Sequence, residues 1–329
     1  MKHLLFILLI GVSLLACKQK SDTTNNTDQN LSTTDQTTNT STIYGNYVDE
    51  SYSKRNDGYD WVAVSVKEGT NNSITISVRS RADQKKPTCT FDTKAYKIDE
   101  NKYETFYNGK NISFEFSNNR IKISATNEED SNILYFFCNG GATIAGTYIK
   151  IEGDLDANQV DQTSFSSVLN LQDVGFNISA IKKEGINILS IFTFGLKEQD
   201  YNETFEIPGE QVIDAEVEDL NSDGSPELFV YTQSDGSGSY GNVYAFSVNN
   251  KKSMSQVYFQ PTAENASINL GYMGHDEFQV VENRLVQRFP IYKTGDSNAN
   301  PTGGTRQISY KLVEGETMRK LLVDNVSEY

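Results

Sequence analysis

Histidine is almost missing from this chain: among 329 residues only His3 and His275 carry an imidazole. His3 sits in an apolar N-terminal leader, so one histidine is left for the folded part. Neither a multi-histidine metal site nor a histidine-based triad can be assembled from it. Long apolar runs are missing too. The stretch from 4 to 16 is largely apolar but only thirteen residues long, short of the roughly 20 that a membrane-crossing helix needs. No amphipathic pattern of helical period lasts more than a few turns, which argues against a helical architecture. No nucleophile stands at a telling spacing from a base, so the chain is read as a non-enzyme. Basic residues are scarce in the second half: residues 1–150 balance 17 Lys+Arg against 17 Asp+Glu, whereas 151–329 carry 12 against 27. The whole net charge of −15 therefore lies in the second half. A field of that sign repels nucleic acid and attracts cationic partners, and it also serves plain solubility.

What is present begins with an export signal. Met1-Lys2-His3 precedes the apolar run, whose length suits a signal-peptide core. The run ends Leu14-Leu15-Ala16-Cys17, which resembles the bacterial lipobox and makes Cys17 the expected lipidated first residue of a membrane-anchored lipoprotein on the periplasmic or cell-surface side. Lys18 follows where an aspartate would signal inner-membrane retention, so the outer membrane is favoured. Removing Cys17 leaves Cys89 and Cys138, an even pair in an oxidising compartment. They are read as one disulfide, with two buried thiols as the alternative. From 18 to 42 the chain is almost wholly Ser, Thr, Asn, Asp and Gln, with Leu31 the only apolar residue. Such a segment cannot bury enough surface to offset its conformational entropy and reads as a disordered tether.

The remaining length fits two domains. The expected division is 1–16 signal peptide, 17–42 lipidated cysteine and linker, 43–151 a small β-barrel or sandwich, and 152–329 a second β domain. The fold class is all-β, with both domains antiparallel. In the first, runs rich in β-branched and aromatic residues at 61–66, 73–78, 112–116, 121–123 and 133–137 are punctuated by Asn56-Asp57-Gly58, Asn108-Gly109 and Asn118-Asn119. The ending Cys138-Asn139-Gly140-Gly141 with Gly146-Thr147-Tyr148 resembles small lipocalin-like domains of other bacterial lipoproteins. In the second, strands are expected at 176–181, 186–194, 211–217, 227–232, 243–248, 284–292 and 306–313, with a short helix near 161–169.

Two loops there carry candidate chemistry. In the 219–227 segment, Asp219, Asn221, Asp223 and Glu227 place oxygens at alternate positions around a glycine turn, as in the first half of a calcium loop. Val230 stands at the twelfth position, so it is no EF-hand. An ordinary Asp/Asn/Gly turn leading into a strand is the preferred reading. Calcium there is the one cofactor considered, and otherwise none is expected. The 233–241 connection, Gln-Ser-Asp-Gly-Ser-Gly-Ser-Tyr-Gly, is longer than a tight hairpin turn, and long loops in compact domains are often functional. His275, with no second ligand nearby in sequence, reads as structural.

From about Ser164 onward the chain resembles the periplasmic inhibitors of invertebrate-type (i-type) lysozyme. The resemblance rests on the 219–227 segment, Ser237-Gly238-Ser239-Tyr240-Gly241, Asn249-Asn250-Lys251-Lys252-Ser253, the 271–278 segment and Pro301-Thr302-Gly303-Gly304, in that order. It implies an inhibitor whose Ser-Gly-x-Tyr loop, here Ser237, Gly238, Ser239 and Tyr240, enters the enzyme's cleft; with the lipobox and the strand pattern, the expectation is a lipid-anchored β-sandwich inhibitor. Hydroxyls on a slim loop suit a cleft built around paired carboxyl groups, and Gly236 and Gly238 are expected to supply positive φ. Arg306, after Gly303-Gly304, is the expected second contact. The 43–151 domain lies outside the resemblance, as a spacer or a second binding module. A calcium-dependent surface adhesion or glycan-binding module is the alternative, and pairing of two copies as a homodimer is left open.

Overall fold

The computed structural model describes residues 42–69 and 71–329. The leader, Cys17 and nearly all of the 17–42 linker lie outside the described residues. Residues Ser41–Tyr329 form one compact unit. Eight antiparallel strands close a barrel: β1 (Gly45–Val48), β2 (Val62–Glu68), β3 (Ser73–Ser80), β4 (Thr90–Asp99), β5 (Lys102–Tyr107), β6 (Lys110–Ser117), β7 (Arg120–Ala125) and β8 (Gly146–Lys150). Closure comes from β1 pairing with both β2 and β8, which removes open sheet edges. Alternate residues such as Ile74, Ile76 and Val78 on β3 and Ile112, Phe114 and Phe116 on β6 point inward and pack the interior. Asn108-Gly109 and Asn118-Asn119 turn the chain with both residues at positive φ, as the short hairpin loops require.

Two local expectations change. Asn56-Asp57-Gly58 does not join two strands: it ends a 3-10 helix at Glu50–Asp57, with Gly58 in the left-handed region. The run at 133–137 is not a strand either, because residues Glu128–Tyr135 form a 3-10 helix that buries Ile133 and Leu134 against the barrel core. Short apolar runs do not separate a strand from a helical turn by pattern alone. The helix leads to Cys138, which is bonded to Cys89.

The second β region has a four-stranded sheet, β9 (Thr163–Leu171), β10 (Val174–Lys183), β11 (Ile186–Phe194) and β12 (Asn202–Ile207). An eight-stranded sheet follows, from β13 (Glu210–Glu218), β14 (Glu227–Ser234), β15 (Gly241–Asn249), β16 (Ser253–Phe259), β17 (Glu277–Val281), β18 (Arg284–Pro290), β19 (Thr305–Val313) and β20 (Lys320–Glu328). Its order is β13-β14-β15-β16-β20-β19-β18-β17. The helix expected near 161–169 is strand β9, which buries Phe165 and packs Leu169 against the sandwich core. The sheet is not purely antiparallel, since β16 and β20 run parallel through Tyr258 and Phe259.

The expected sandwich is present in one half of this sheet and bent in the other. Phe176, Ile178, Leu189 and Ile191 of the four-stranded sheet pack on Leu228, Val230, Phe246 and Val248. The eight-stranded sheet then curls until its edges approach, and Val280 N–H of β17 donates to Glu216 Oε2 of β13 at 2.7 Å. Inside the curl lies a second core of Phe229, Tyr231, Leu285, Phe289, Ile308 and Tyr310. Strand β14 is thus buried on both faces, which is why it reads Leu-Phe-Val-Tyr without alternation.

The barrel and β9 are joined by more than chain continuity. Asp92 Oδ2 accepts from the Arg79 guanidinium at 2.6 Å and from Ser166 N–H at 2.8 Å, while Arg79 Nε donates to Thr163 O at 2.6 Å. Tyr107 OH donates to Val168 O at 2.8 Å. Among the described residues no helix is long and apolar enough to cross a membrane.

Candidate partner-binding site

The β14–β15 connection stands out as a finger held from behind. At its base Ser234 N–H donates to Tyr240 O at 2.8 Å, and Tyr240 N–H donates to Ser234 Oγ at 2.9 Å. Across its tip Ser239 N–H donates to Gly236 O at 3.0 Å. Two other connections support it. From the 271–276 turn, His275 N–H donates to Gly238 O at 2.8 Å. From the β18–β19 connection, Asn298 Nδ2 donates to Ser237 O at 2.8 Å. The carbonyls from Gly236 to Tyr240 are therefore engaged.

Ser237 and Tyr240 are exposed, the latter at 44% of its surface. Tyr240 leans edge-on against Tyr272, with ring centroids 5.6 Å apart. Among the described residues neither Ser237 Oγ nor Tyr240 OH has a hydrogen-bond partner, whereas the hydroxyls of Tyr272, Tyr231 and Tyr310 are all paired. Positive φ in the finger falls on Ser239 (45°), not on Gly236 or Gly238. Gly238 is required for a different reason: a Cβ there would lie 2.5 Å from the Tyr240 ring and 3.3 Å from Met273 O. Its hydrogen atom lets Tyr240 fold against the loop.

Arg306 does not face outward. Its side chain is buried, with only 6% of the residue exposed, and it donates to Ile268 O at 2.5 Å, Leu270 O at 2.8 Å and Glu328 Oε1 at 2.6 Å. Its guanidinium is consumed in tying β19 and β20 to the 262–270 segment, so it offers no free charge to a partner. Gly303 and Gly304 likewise serve close backbone approach. A Cβ at Gly303 would lie 2.4 Å from Ile291 O, and one at Gly304, where φ is +85°, 2.6 Å from Tyr329 O.

The 219–227 loop satisfies its own carboxylates. Asp219 accepts from Asp223 N–H, Gly224 N–H and Gln172 Nε2. Asp223 Oδ1 accepts from Ser225 N–H, and Asn221 Nδ2 donates to Asp223 Oδ2 at 2.8 Å. Arg319 brings a cation to the loop, 3.2 Å from Asp223 and 3.6 Å from Glu227, and it also reaches Ser247 Oγ. Among the described residues no group of three or more His, Cys, Asp or Glu side chains is placed to hold a metal ion.

Glu227, fully buried, accepts from Leu220 N–H and Ser247 Oγ. Burial, opposed by these hydrogen bonds and by Arg319, pushes its carboxyl up from 4.5 to about 7. The folded chain thus holds this proton more tightly than the unfolded one. Its stabilising contribution is complete below about pH 4.5 and is lost as pH rises to about 7. Glu227→Gln should remove that loss. Relative to the parent, the variant should gain on the order of 3 kcal/mol between pH 4.5 and 8 in denaturant titrations. A constant gap would show that Glu227 does not titrate in this range.

In sequence the 271–276 turn offered His275 and part of the inhibitor resemblance, with no role for its other residues. His275 is structural: its Nε2 lies 3.1 Å from Asn298 Oδ1, and its ring stacks beside Tyr292. Its neighbour Asp276, which the resemblance contained without a role, accepts from Gly241 N–H, the first residue after the finger, at 2.7 Å. No local signal marks that contact, because the two residues are 35 positions apart.

Residues 205–268 match the family model of the periplasmic lysozyme inhibitor of I-type lysozyme. The inhibitor-family segment runs from β12 through the finger to the 3-10 turn at Thr262–Glu264 and covers about one-fifth of the chain. It contains both the 219–227 loop and the finger, while the 271–276 turn and the β18–β19 connection that brace the finger lie beyond it. No curated protein sequence matches the chain. Among solved structures, the catalytic domain of Coprinopsis cinerea GH62 alpha-L-arabinofuranosidase aligns over 82% of this chain and 89% of that one. The TM-score is 0.26 and the identity 11%, a likeness too slight to carry an argument.

Proposed function

We propose that the protein is a periplasmic inhibitor of i-type lysozyme that plugs the enzyme's cleft with Ser237 and Tyr240. The match to the inhibitor family supports the general role. The observation that carries the mechanism is the pair of hydroxyls, unpartnered among the described residues, on a finger whose carbonyls from Gly236 to Tyr240 are already engaged. Glycoside hydrolases work through two carboxyl groups flanking the scissile bond. Ser237 Oγ and Tyr240 OH are donors of the right kind to engage them, and the Tyr240 ring supplies rigid contact area. Since the finger is braced, little ordering entropy remains to be lost on binding. Cys17 would carry the lipid that holds the chain to the outer membrane, and the 43–151 barrel would act as a spacer raising the inhibitor region from the lipid surface.

The purified protein should inhibit an i-type lysozyme at near-stoichiometric amounts. Lack of inhibition at micromolar concentrations would refute the proposal. Because residues 151–329 carry 12 basic against 27 acidic side chains, association with a cationic lysozyme should be steered by long-range attraction. Stopped-flow association rates should drop by about tenfold or more between low and physiological salt, with a smaller change in the dissociation rate. A flat salt response would remove charge from the account. A melting temperature that drops on chelation would instead favour the calcium-dependent module built on the 219–227 loop.

A further inference from the structure

We infer that Asp276, with the glycine turn that precedes it, is a positioning residue for the finger: a buried carboxylate that sets inhibitory strength without touching the enzyme. This rests on the reading of Ser237 and Tyr240 given above.

Asp276 is buried, and among the described residues no cation pairs with it. An ionisable side chain in that position costs stability unless its hydrogen bonds compensate. Three donors converge on it. Gly241 N–H at 2.7 Å and Tyr272 OH at 2.6 Å meet Oδ2, and Gln287 Nε2 at 2.6 Å meets Oδ1. The first fixes the backbone immediately after Tyr240. The second fixes the ring on which Tyr240 leans. The third anchors the carboxylate to the sheet, since the buried Gln287 of β18 is itself held by Tyr310 OH and Thr262 Oγ1. Gly241 must be glycine for this contact, because a Cβ there would lie 2.7 Å from the Asp276 Cβ.

The other flank is set by Gly274. Its φ is +87°, and a Cβ on it would lie 2.0 Å from Gly238 O, the carbonyl that accepts from His275 N–H. The turn therefore reaches the finger at the closest distance the backbone permits. Asp276 holds the stem after Tyr240, and Gly274-His275 hold the segment between Ser237 and Tyr240. The spacing between the two hydroxyls is thus dictated by groups on a different connection. A charged acceptor in a low-dielectric site makes such restraint strong, and a preorganised finger loses less on binding.

The test uses the full protein, an i-type lysozyme and five variants: Asp276→Asn, Gly274→Ala, Ser237→Ala/Tyr240→Ala, and each of the first two combined with the third. Gly274→Ala should weaken inhibition by about a hundredfold and Asp276→Asn by about tenfold. Amide exchange at Tyr240 and Gly241 should accelerate in both. In the background lacking Ser237 and Tyr240 hydroxyls, neither substitution should weaken residual binding further, which a merely structural role would not predict. Equal losses in both backgrounds, or parent-level inhibition by folded Gly274→Ala protein, would overturn the inference while leaving the proposed function standing. If Ser237→Ala/Tyr240→Ala alone leaves inhibition intact, the underlying reading fails and this one falls with it. Should Asp276→Asn not fold, Gly274→Ala decides.

Discussion

Replacing Ser237 and Tyr240 together by alanine is expected to weaken inhibition of an i-type lysozyme by about a thousandfold or more, with the fold intact. The magnitude follows from two hot-spot residues at the centre of an interface, each costing 2 kcal/mol or more when truncated. The structural cost is small because neither hydroxyl has a hydrogen-bond partner among the described residues. Ser237 is exposed, and truncating the half-exposed Tyr240 removes mainly its edge-on contact with Tyr272, worth about 1 kcal/mol. Inhibition titrations at matched folded concentration, checked by melting curves, separate the two effects. An unchanged inhibition constant would mean that another surface makes the contact.

Removing the disulfide should have the largest effect on stability and little on inhibition. Cys89 and Cys138 are separated by 49 positions, and closing a loop of that length in the unfolded chain is worth about 4 kcal/mol. The bond joins the segment entering β4 to the chain just after the 3-10 helix, where Thr90 N–H also donates to Phe137 O and Asn139 N–H to Thr88 O. Trp61, the sole tryptophan and fully buried in the barrel region, reports on this part selectively. Cys89→Ser/Cys138→Ser should lower the unfolding free energy read from Trp61 fluorescence in denaturant titrations by that amount, while lysozyme titrations under native conditions stay at parent level. A shift below about 1 kcal/mol would show that the loop constraint contributes little. A loss of inhibition would couple the barrel to the finger.

Strand content was readable because period-two alternation and Asn-Gly or Asn-Asn turns are local signals; the left-handed conformations at Asn108 and Gly109 are what those residues favour. Strands lacking such a signal were missed. β20 carries Asp324 and Asn325 in its middle and is held by pairing with β19 and, in parallel, β16. The run at 133–137 had strand composition yet turned helical, because burying Ile133 and Leu134 on the barrel end outweighed local preference. Arg306 shows the same limit at the site: its charge was visible, but not the two carbonyls and the carboxylate that consume it.

By itself, then, the sequence determined what is local: an all-β chain, a pair of cysteines matched for one bond, an acidic second half, and a glycine-rich loop bearing Ser237 and Tyr240. Only the tertiary structure decided that the barrel closes, that the second sheet curls back on itself, and that Arg306 turns inward. It also brought Asp276 and Asn298 to the finger from 35 and 61 positions away. The physical reason is range. Alternation, turn preference and charge are properties of neighbours in the chain, whereas satisfying buried donors and acceptors depends on which distant strands come to lie side by side.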